Sequence, residues 1–289
     1  MDDGPSVDAV SQAQTTPHPN EQSLTIQLNN HSATAIVSAQ HGGRLVSLCV
    51  HGHELLVSRE SDPMRHGCYP MAPWAGRIRN GKFTWLETTY QLPINLPPHA
   101  IHGTVFDRPW TPTPNGLTID LGALWPWPGR VESSFSLQPD AFHWKLTAYA
   151  DQHPMPVVLG WHPWFRRNLN QGAPLQLGFR ANKMMVRDEA GITTPRTVDV
   201  PNGPWDDCFV GVTQPVELNW PGALSATISS DCSHWVVYSE PDHAVCVEPQ
   251  SGPPDAVNLG LAAVVRPGDP LERTMTIRWH PVAKDNHTG

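Results

Sequence analysis

Apolar and polar residues alternate along most of this chain. The alternation is clearest in five segments, whose same-side residues are Leu24, Ile26 and Leu28; Val131, Ser133, Phe135 and Leu137; Phe142, Trp144, Leu146 and Ala148; Trp235 and Val237; and Met275, Ile277 and Trp279. Successive side chains of a strand point to opposite faces, so period-two alternation is typical of half-buried antiparallel strands. No window carries a capped apolar stripe of helical period. The pattern predicts many short strands and few helices.

The segments between these strands carry turn residues, as in the Pro-Thr-Pro-Asn-Gly sequence at 112–116. The chain contains 31 prolines, which disfavour long helices because each removes a backbone donor. It also contains 12 tryptophans, which supply bulk for a core between two sheets. We therefore expect an all-β fold, a large antiparallel β-sandwich.

One domain and a tail are expected. Residues 1–22 are rich in Gln, Ser, Thr, Pro and Asp, and they lack the apolar side chains whose burial could offset the entropy of ordering. We predict that this segment is disordered and that residues 23–283 form a single sandwich domain. The last residues, 284–289, are expected to fray.

Charge and cysteine content indicate the cellular location of the protein and exclude some classes of partner. The net charge of -8 argues against a nucleic-acid partner, whose phosphates require a clustered basic surface. The acidic start has no apolar signal segment behind it, and no apolar run approaches the ~18 residues of a membrane span. Five cysteines without a Cys-x-x-Cys pair indicate reduced thiols. We expect a cytoplasmic protein without a membrane partner, and the oligomeric state stays open.

Four polar residues lie in apolar or turn-like surroundings: Arg77, His102, His162 and Glu248. Each also has a purely structural interpretation, because a histidine beside aromatic residues is commonly a core residue and an arginine before a turn commonly joins a weak ion pair. Glu248 stands just before Pro249, where we expect its strand to end.

Several other sites are disfavoured by the sequence. The His-Gly-His-Glu segment at 51–54 could suggest a metal site, but glycine between polar residues fits a hairpin turn better and no further ligands are identifiable. We therefore predict no metal site. The chain has no Gly-x-Ser-x-Gly, P-loop or Gly-x-Gly-x-x-Gly motif, so simple hydrolase and nucleotide-binding functions are disfavoured.

Six short motifs, taken together and in order, resemble the aldose 1-epimerases, also called galactose mutarotases. They are Gly42-Gly43-Arg44-Leu45, Pro73-Trp74-Ala75-Gly76-Arg77-Ile78-Arg79-Asn80-Gly81-Lys82-Phe83, Ile101-His102-Gly103, His162-Pro163-Trp164-Phe165, Asp206-Asp207-Cys208-Phe209 and Val247-Glu248-Pro249. The resemblance covers most of residues 24–280. It implies the galactose mutarotase-like sandwich, with a site in a cleft over one sheet.

The resemblance also implies an isomerase that interconverts the α and β anomers of a free hexose, with a small sugar as partner and no cofactor. Glu248 would be the general base and His162 the general acid in opening the cyclic hemiacetal, on opposite sides of the sugar. The expected substrate-binding residues are His102, Arg77, Asp207, Trp74 and Trp164, with Trp161 a further candidate for an aromatic wall. Of the adjacent pair Asp206 and Asp207, the resemblance favours Asp207.

Departures from the family's pattern bear on the substrate. Galactose mutarotases tend to carry Asn where this chain has Gly76, and Tyr and Asn where it has Trp164 and Arg166-Arg167. The two arginines could neutralise a sugar phosphate, as in hexose-6-phosphate mutarotase relatives, or form a solvated basic turn, which we favour. A non-catalytic sugar-binding protein on the same fold is a further alternative. A secreted polysaccharide-degrading enzyme is disfavoured because no signal or linker is visible.

Overall fold

The structure is a computed structural model that describes residues 25–58 and 60–280. The predicted tail, residues 1–22, lies outside the described residues, as do 23–24 and 281–289. Across the described part the chain forms 25 strands and two short 3-10 turns, Arg79–Gly81 and Gly122–Leu124, with no α-helix. The prediction of an all-β fold is confirmed. No helix in these two ranges has the length and apolarity needed to span a bilayer.

Strands are numbered in chain order. The larger sheet comprises β1 (Thr25–Asn29), β2 (Ala33–Ser38), β3 (Arg44–Val50), β4 (His53–Glu54), β5 (Cys68–Met71), β15 (Gly160–Arg166), β17 (Lys183–Arg187), β18 (Thr193–Val198), β19 (Asp206–Val210), β22 (His234–Tyr238) and β23 (Ala244–Gln250). Their order is β1-β2-β3-β5-β15-β23-β22-β19-β17-β18, with β4 also paired to β3. The strands β15 and β23, which carry His162 and Glu248, are therefore neighbours near the middle of the sheet.

The smaller sheet has eight strands: β10 (Thr111–Thr113), β11 (Gly116–Asp120), β12 (Gly129–Leu137), β13 (Ala141–Ala150), β16 (Gln176–Gly178), β20 (Val216–Trp220), β21 (Leu224–Ser230) and β25 (Leu271–His280). They follow the order β10-β11-β12-β13-β25-β21-β20-β16. Three two-stranded pairs complete the fold: β6 (Arg77–Ile78) with β9 (Ala100–Ile101), β7 (Lys82–Trp85) with β8 (Thr88–Gln91), and β14 (Met155–Val157) with β24 (Ala263–Val265).

The two large sheets share one main hydrophobic core. Apolar residues from both sheets belong to the same buried cluster, and Trp144 of β13 meets Trp161 of β15 with ring centroids 6.4 Å apart. The Nε1 of Trp220 on β20 donates a 3.0 Å hydrogen bond to the carbonyl oxygen of Arg166 on β15. Trp144, Trp161 and Trp220 thus connect the two sheets.

The period-two segments all form strands in the described residues: β1, β12, β13, β22 and β25. The His51-Gly52 pair makes the predicted hairpin turn between β3 and β4, where Val50 pairs with His53 and both turn residues have positive φ. The expected strand end at Glu248 is wrong, because β23 continues through Pro249 to Gln250. A proline removes only one backbone hydrogen-bond donor from a strand, and its φ is compatible with extended backbone, so a strand can continue through it.

Candidate active site

A cavity of about 270 Å³ opens on the larger sheet, bordered by the β6–β9 pair. Six of the seven predicted site residues line it: Arg77, His102, His162, Trp164, Asp207 and Glu248. These residues are spread over 172 positions of sequence, from 77 to 248. The cavity therefore depends on the sheet order, which places the strands that carry them side by side.

His162 and Glu248 face each other across neighbouring strands. Gly160 pairs with Gln250 and Trp164 pairs with Cys246 in the antiparallel register of β15 and β23, so His162 stands directly opposite Glu248. The Nε2 atom of His162 lies 3.2 Å from the Oε1 atom of Glu248, and both side chains are buried. The two groups are therefore in direct contact, on the same sheet face, rather than on opposite sides of a gap.

The other carboxyl oxygen of Glu248 is held by Gln250. The Nε2 group of Gln250 donates a 3.2 Å hydrogen bond to Oε2 of Glu248. Because residues two apart on a strand share a face, the same alternation that exposes Glu248 to the cavity brings Gln250 beside it. This bond leaves Oε1 as the oxygen that His162 contacts.

Aromatic rings fix the plane of the His162 imidazole. Tyr69 stacks against it with ring centroids 4.8 Å apart, and Trp164 also stacks against it, at 5.4 Å. His243 stacks on the outer face of Trp164, and the Arg44 guanidinium lies 4.6 Å from the Tyr69 ring centroid. Nδ1 of His162 has no hydrogen-bond partner among the described residues. The stacked rings therefore orient the imidazole. In other sites a histidine is more usually oriented by a hydrogen bond from its second ring nitrogen.

The β6–β9 pair brings Arg77 and His102 to the cavity. Arg77 pairs with Ile101, and the backbone N–H of His102 donates a 3.1 Å bond to the carbonyl of Gly76. His102 adopts a positive φ of 61°, and Gly103 follows at 83°. A Cβ on Gly103 would lie 1.9 Å from the carbonyl oxygen of Ala72, so only glycine fits. This explains why a glycine must follow the histidine.

A network of carboxylates and guanidiniums forms another wall of the cavity. Arg187 of β17 donates to Asp206 at 2.8 Å and to Asp207 at 3.0 Å. Arg77 lies 3.9 Å from Asp206. Burial raises the pKa of Asp206, and the two guanidiniums partly offset that rise. Both aspartates line the cavity, so their positions do not favour Asp207 over Asp206 as the substrate-binding residue.

Burial opposes charge on both members of the central pair. It lowers the pKa of His162 well below its ordinary value, and His102 and Arg44 lower it further. Burial raises the pKa of Glu248 well above its ordinary value, and the nearby Asp206 adds to the rise. The form favoured by burial is therefore the neutral one, in which the protonated carboxyl group donates a hydrogen bond to the neutral imidazole.

His102 is held neutral by the same effect. Burial, followed by the charge of Arg77, lowers its pKa to about 3. Its ring meets that of His162 edge-on, with centroids 4.9 Å apart. Burial thus favours two neutral imidazoles and one shared carboxyl proton in this cluster, whose members His102, His162 and Glu248 all line the cavity.

The aldose 1-epimerase family model matches residues 24–278 of the chain. This chain belongs to the aldose 1-epimerase family. It is 27% identical to the uncharacterized protein YihR of Escherichia coli (strain K12), a match covering 86% of this chain and 89% of that protein. Its fold is similar to that of a galactose mutarotase-like protein from Clostridium acetobutylicum, with a TM-score of 0.79 at 16% identity, covering 89% of this chain and 95% of the other. It is also similar in fold to galactose 1-epimerase from Lactobacillus acidophilus NCFM, with a TM-score of 0.73 at 17% identity, covering 89% of this chain and 94% of the other.

Two tryptophans expected as sugar platforms lie in the core of this family member. Trp74 is 2% exposed and packs against Trp125 with ring centroids 5.7 Å apart, and Trp161 is fully buried between the sheets. Neither lines the cavity. Their indole rings are already covered by protein, so a sugar could not stack on them.

Arg166 and Arg167 also lie away from the cavity lining. Arg166 donates from Nε to the carbonyl of Leu56 at 2.7 Å, and Arg167 donates to the carbonyls of Ser239 and Pro241 at 2.9 and 3.1 Å. The two guanidiniums are committed to backbone oxygens of neighbouring loops. Their positions give no support to the phosphate interpretation.

Sequence reasoning missed Arg187, Gln250 and Tyr69. Gln250 could have been found, because it lies two residues after Glu248 on the same strand face. Tyr69 pairs with His162 across β5 and β15, and Arg187 reaches the aspartates from β17. No local signal marks either of these, because both reach the site through strand pairings that connect distant segments.

Proposed function

We infer that this protein is an aldose 1-epimerase that interconverts the α and β anomers of an uncharged aldose by acid–base ring opening. The observation that carries this proposal is the buried pair of His162 and Glu248, 3.2 Å apart at a cavity. Membership of the family supports the reaction class. Only protons move in this reaction, so the proposed chemistry calls for no cofactor.

Opening the cyclic hemiacetal moves two protons. Glu248 takes the proton of the C1 hydroxyl while His162 gives a proton to the ring oxygen, and the bond between C1 and the ring oxygen breaks as the C1=O bond of the open-chain aldehyde forms. Rotation about the C1–C2 bond turns the carbonyl over, and the reversed transfers close the ring as the other anomer. Since the pair loses one proton and gains one, its total is unchanged in each half of the reaction.

Because His162 and Glu248 are in direct contact, a proton can pass between them. The neutral pair and the ion pair differ only in which partner holds the shared proton. Transfer of that proton from Glu248 to His162 produces the carboxylate and imidazolium that ring opening consumes. Burial favours the neutral form, and sugar hydroxyls that donate to the carboxylate would favour the ionised form. A sugar placed over both groups, rather than between them, suits this geometry.

The remaining cavity residues suit sugar hydroxyls. His102 and Arg77 would hold hydroxyls or the ring oxygen near C1, and Asp207 with Asp206 would accept hydrogen bonds from hydroxyls further away. Trp164 is the one predicted aromatic platform that lines the cavity, and its ring also stacks on His162.

The charge of the cavity favours an uncharged sugar over a sugar phosphate. Five carboxyl groups and three guanidiniums line it: Asp62, Asp206, Asp207, Glu240 and Glu248 against Arg65, Arg77 and Arg187. Each arginine already faces a carboxylate, as Arg65 does Asp62 at 3.2 Å. A phosphate would therefore meet no surplus positive charge from the described residues.

The test is to follow the anomerisation of freshly dissolved α-glucose and α-galactose by polarimetry or proton NMR in a weakly catalytic buffer. Hexose 6-phosphates are run in parallel. We expect acceleration of a free hexose, and a loss of about 10²–10⁴-fold in Glu248→Gln, because the base is removed while size and hydrogen bonding are kept. Glu217→Gln, an exposed position on β20 of the other sheet, is the matched control and should keep the wild-type rate.

Circular dichroism of each variant shows that it is folded. Full activity in Glu248→Gln would remove the proposed base. If the folded wild-type protein accelerates none of these sugars, the enzyme proposal fails, and equilibrium binding of the same sugars would then test the non-catalytic alternative.

A further inference from the structure

A buried thiol completes a three-residue cluster at the site. Cys246 lies on β23 two residues before Glu248, on the same sheet face, and pairs with Trp164 of β15. Its side chain is fully buried. Potential ligand atoms of His162, Cys246 and Glu248 all lie within 4.8 Å of one another. The proposed ring-opening reaction uses the imidazole and the carboxylate but assigns no step to the thiol.

The three ligand types match a borderline divalent cation. Zinc binds imidazole nitrogen, thiolate sulfur and carboxylate oxygen at about 2.0–2.3 Å, which places tetrahedral ligand atoms roughly 3.3–3.6 Å apart. The nitrogen and oxygen of the pair are already 3.2 Å apart. Magnesium and calcium prefer all-oxygen sites, so this donor set disfavours them.

We propose that His162, Cys246 and Glu248 form a zinc-binding site, and that bound zinc inhibits the enzyme. The binding half of this proposal stands on the ligand geometry, while the inhibition half rests on the proposed function. Three protein ligands leave one position of a tetrahedral ion open, and two of the three, His162 and Glu248, line the cavity.

Inhibition follows from which atoms the ion would occupy. Zinc on Nε2 of His162 takes the lone pair that carries the transferable proton, and zinc on the carboxylate of Glu248 withdraws the general base. The ion thus replaces the proton that the two groups share. Loss of two protons to solvent, the thiol proton and the shared carboxyl proton, leaves a thiolate and a carboxylate, whose two negative charges balance the 2+ charge of the ion.

Binding is tested first without any sugar. The full chain, freed of metal by a chelator and kept reduced, is titrated with Zn²⁺ by calorimetry, and with Co²⁺ while the near-ultraviolet spectrum is recorded. We expect one ion per chain and, for cobalt, a thiolate-to-metal charge-transfer band. In Cys246→Ser and in the smaller Cys246→Ala, the band should vanish and the zinc affinity should fall at least about tenfold, since outer-shell partners alone commonly account for that much.

Cys208→Ser is the matched control. Cys208 is a buried cysteine that lines the same cavity, but it lies outside the three-residue cluster. This variant should bind zinc as the wild type does and keep the cobalt band. Zinc binding that is undetectable in the wild type, or equally tight in Cys246→Ala, would overturn the proposal.

The inhibition half is tested on the anomerisation assay. Zinc should inhibit the wild type over the concentration range in which it binds, and ethylenediaminetetraacetate should restore the rate. Cys246→Ala should retain basal activity and require at least about tenfold more zinc for the same inhibition. Activation by zinc, or equal sensitivity of Cys246→Ala and wild type, would refute it. If the protein has no epimerase activity, the calorimetry and the cobalt spectrum still decide the binding half.

Discussion

Two aromatic clusters in this protein are built from the same residue types and serve different purposes. The site stack contains Tyr69, His162, Trp164 and His243. The rear cluster contains Trp74, Phe83, Tyr90, Trp125 and Trp127, with ring centroids as close as 4.9 Å. Ring spacing is alike in the two. The difference is that the site stack holds an imidazole whose edge meets a carboxylate at a cavity, whereas the rear cluster contains no imidazole and its other rings, apart from the partly buried Tyr90, are buried.

The two clusters show how little local sequence says about the role of a tryptophan. Trp74 follows Pro73 and Trp164 follows Pro163, and each lies in a family motif beside a polar site residue. Both were equally good candidates for a sugar platform. Trp164 lies on β15, beside the strand β23 that carries Glu248. Trp74 packs instead against Trp125, which lies between β11 and β12. Position in the tertiary structure separates them.

The rear cluster should matter for stability. Trp74→Ala removes a large buried ring, and we expect the free energy of unfolding to fall by about 3–5 kcal/mol. The KM for sugar of the folded fraction should be unchanged. Denaturant unfolding and initial-rate kinetics measure the two effects. A small loss of stability together with a raised KM would place Trp74 at the sugar site instead.

Acid should destabilise the site region through His102. Its pKa is about 3 in the fold against an ordinary 6.5, so between these values the unfolded chain binds a proton that the folded chain does not. Stability therefore falls as the pH drops through this window, by about 2 kcal/mol between pH 7 and pH 5. Asparagine tolerates positive φ and does not titrate here, so the stability of His102→Asn should fall by about 2 kcal/mol less than that of the wild type over the same pH range. Denaturant unfolding at both pH values checks this, and equal losses in the two proteins would contradict it.

The stack on His162 should contribute to the rate. Trp164→Leu removes one of the two rings that stack on His162 and should lower kcat/KM about tenfold, because an aromatic pair contributes about 0.5–1.5 kcal/mol beyond its buried area. Trp164→Phe keeps a ring there and should stay within about threefold of the wild type. Steady-state kinetics on the preferred sugar distinguishes the two variants. Equal rates for Leu and Phe would mean that stacking plays no part.

The smallest effect is expected at Arg166 and Arg167. The double variant Arg166→Met with Arg167→Met should leave the ratio of rates on a free hexose and its 6-phosphate unchanged, because neither arginine lines the cavity. Paired assays on the two sugars measure that ratio. A selective loss on the 6-phosphate would restore the phosphate interpretation and count against the uncharged substrate.

Much of this architecture is local and was predictable. Alternation placed β12, β13 and β25 and the turn at His51-Gly52, because strand faces and hairpins depend on neighbouring residues. Family motifs nominated six residues that the structure gathers at one cavity. The continuation of β23 through Pro249 was not predictable, since one missing donor ends some strands and is tolerated in others.

By itself, the sequence determined the all-β fold, its antiparallel strands and the residue types available for chemistry, because these follow from side-chain alternation and short motifs. Only the tertiary structure decided that His162 touches Glu248, that Tyr69 and Trp164 stack on the imidazole, that Cys246 lies beside this pair and that Trp74 lies in the core. Each of these depends on which strands become neighbours. Strand order is set by burial of the whole core at once, and no local stretch of sequence encodes it.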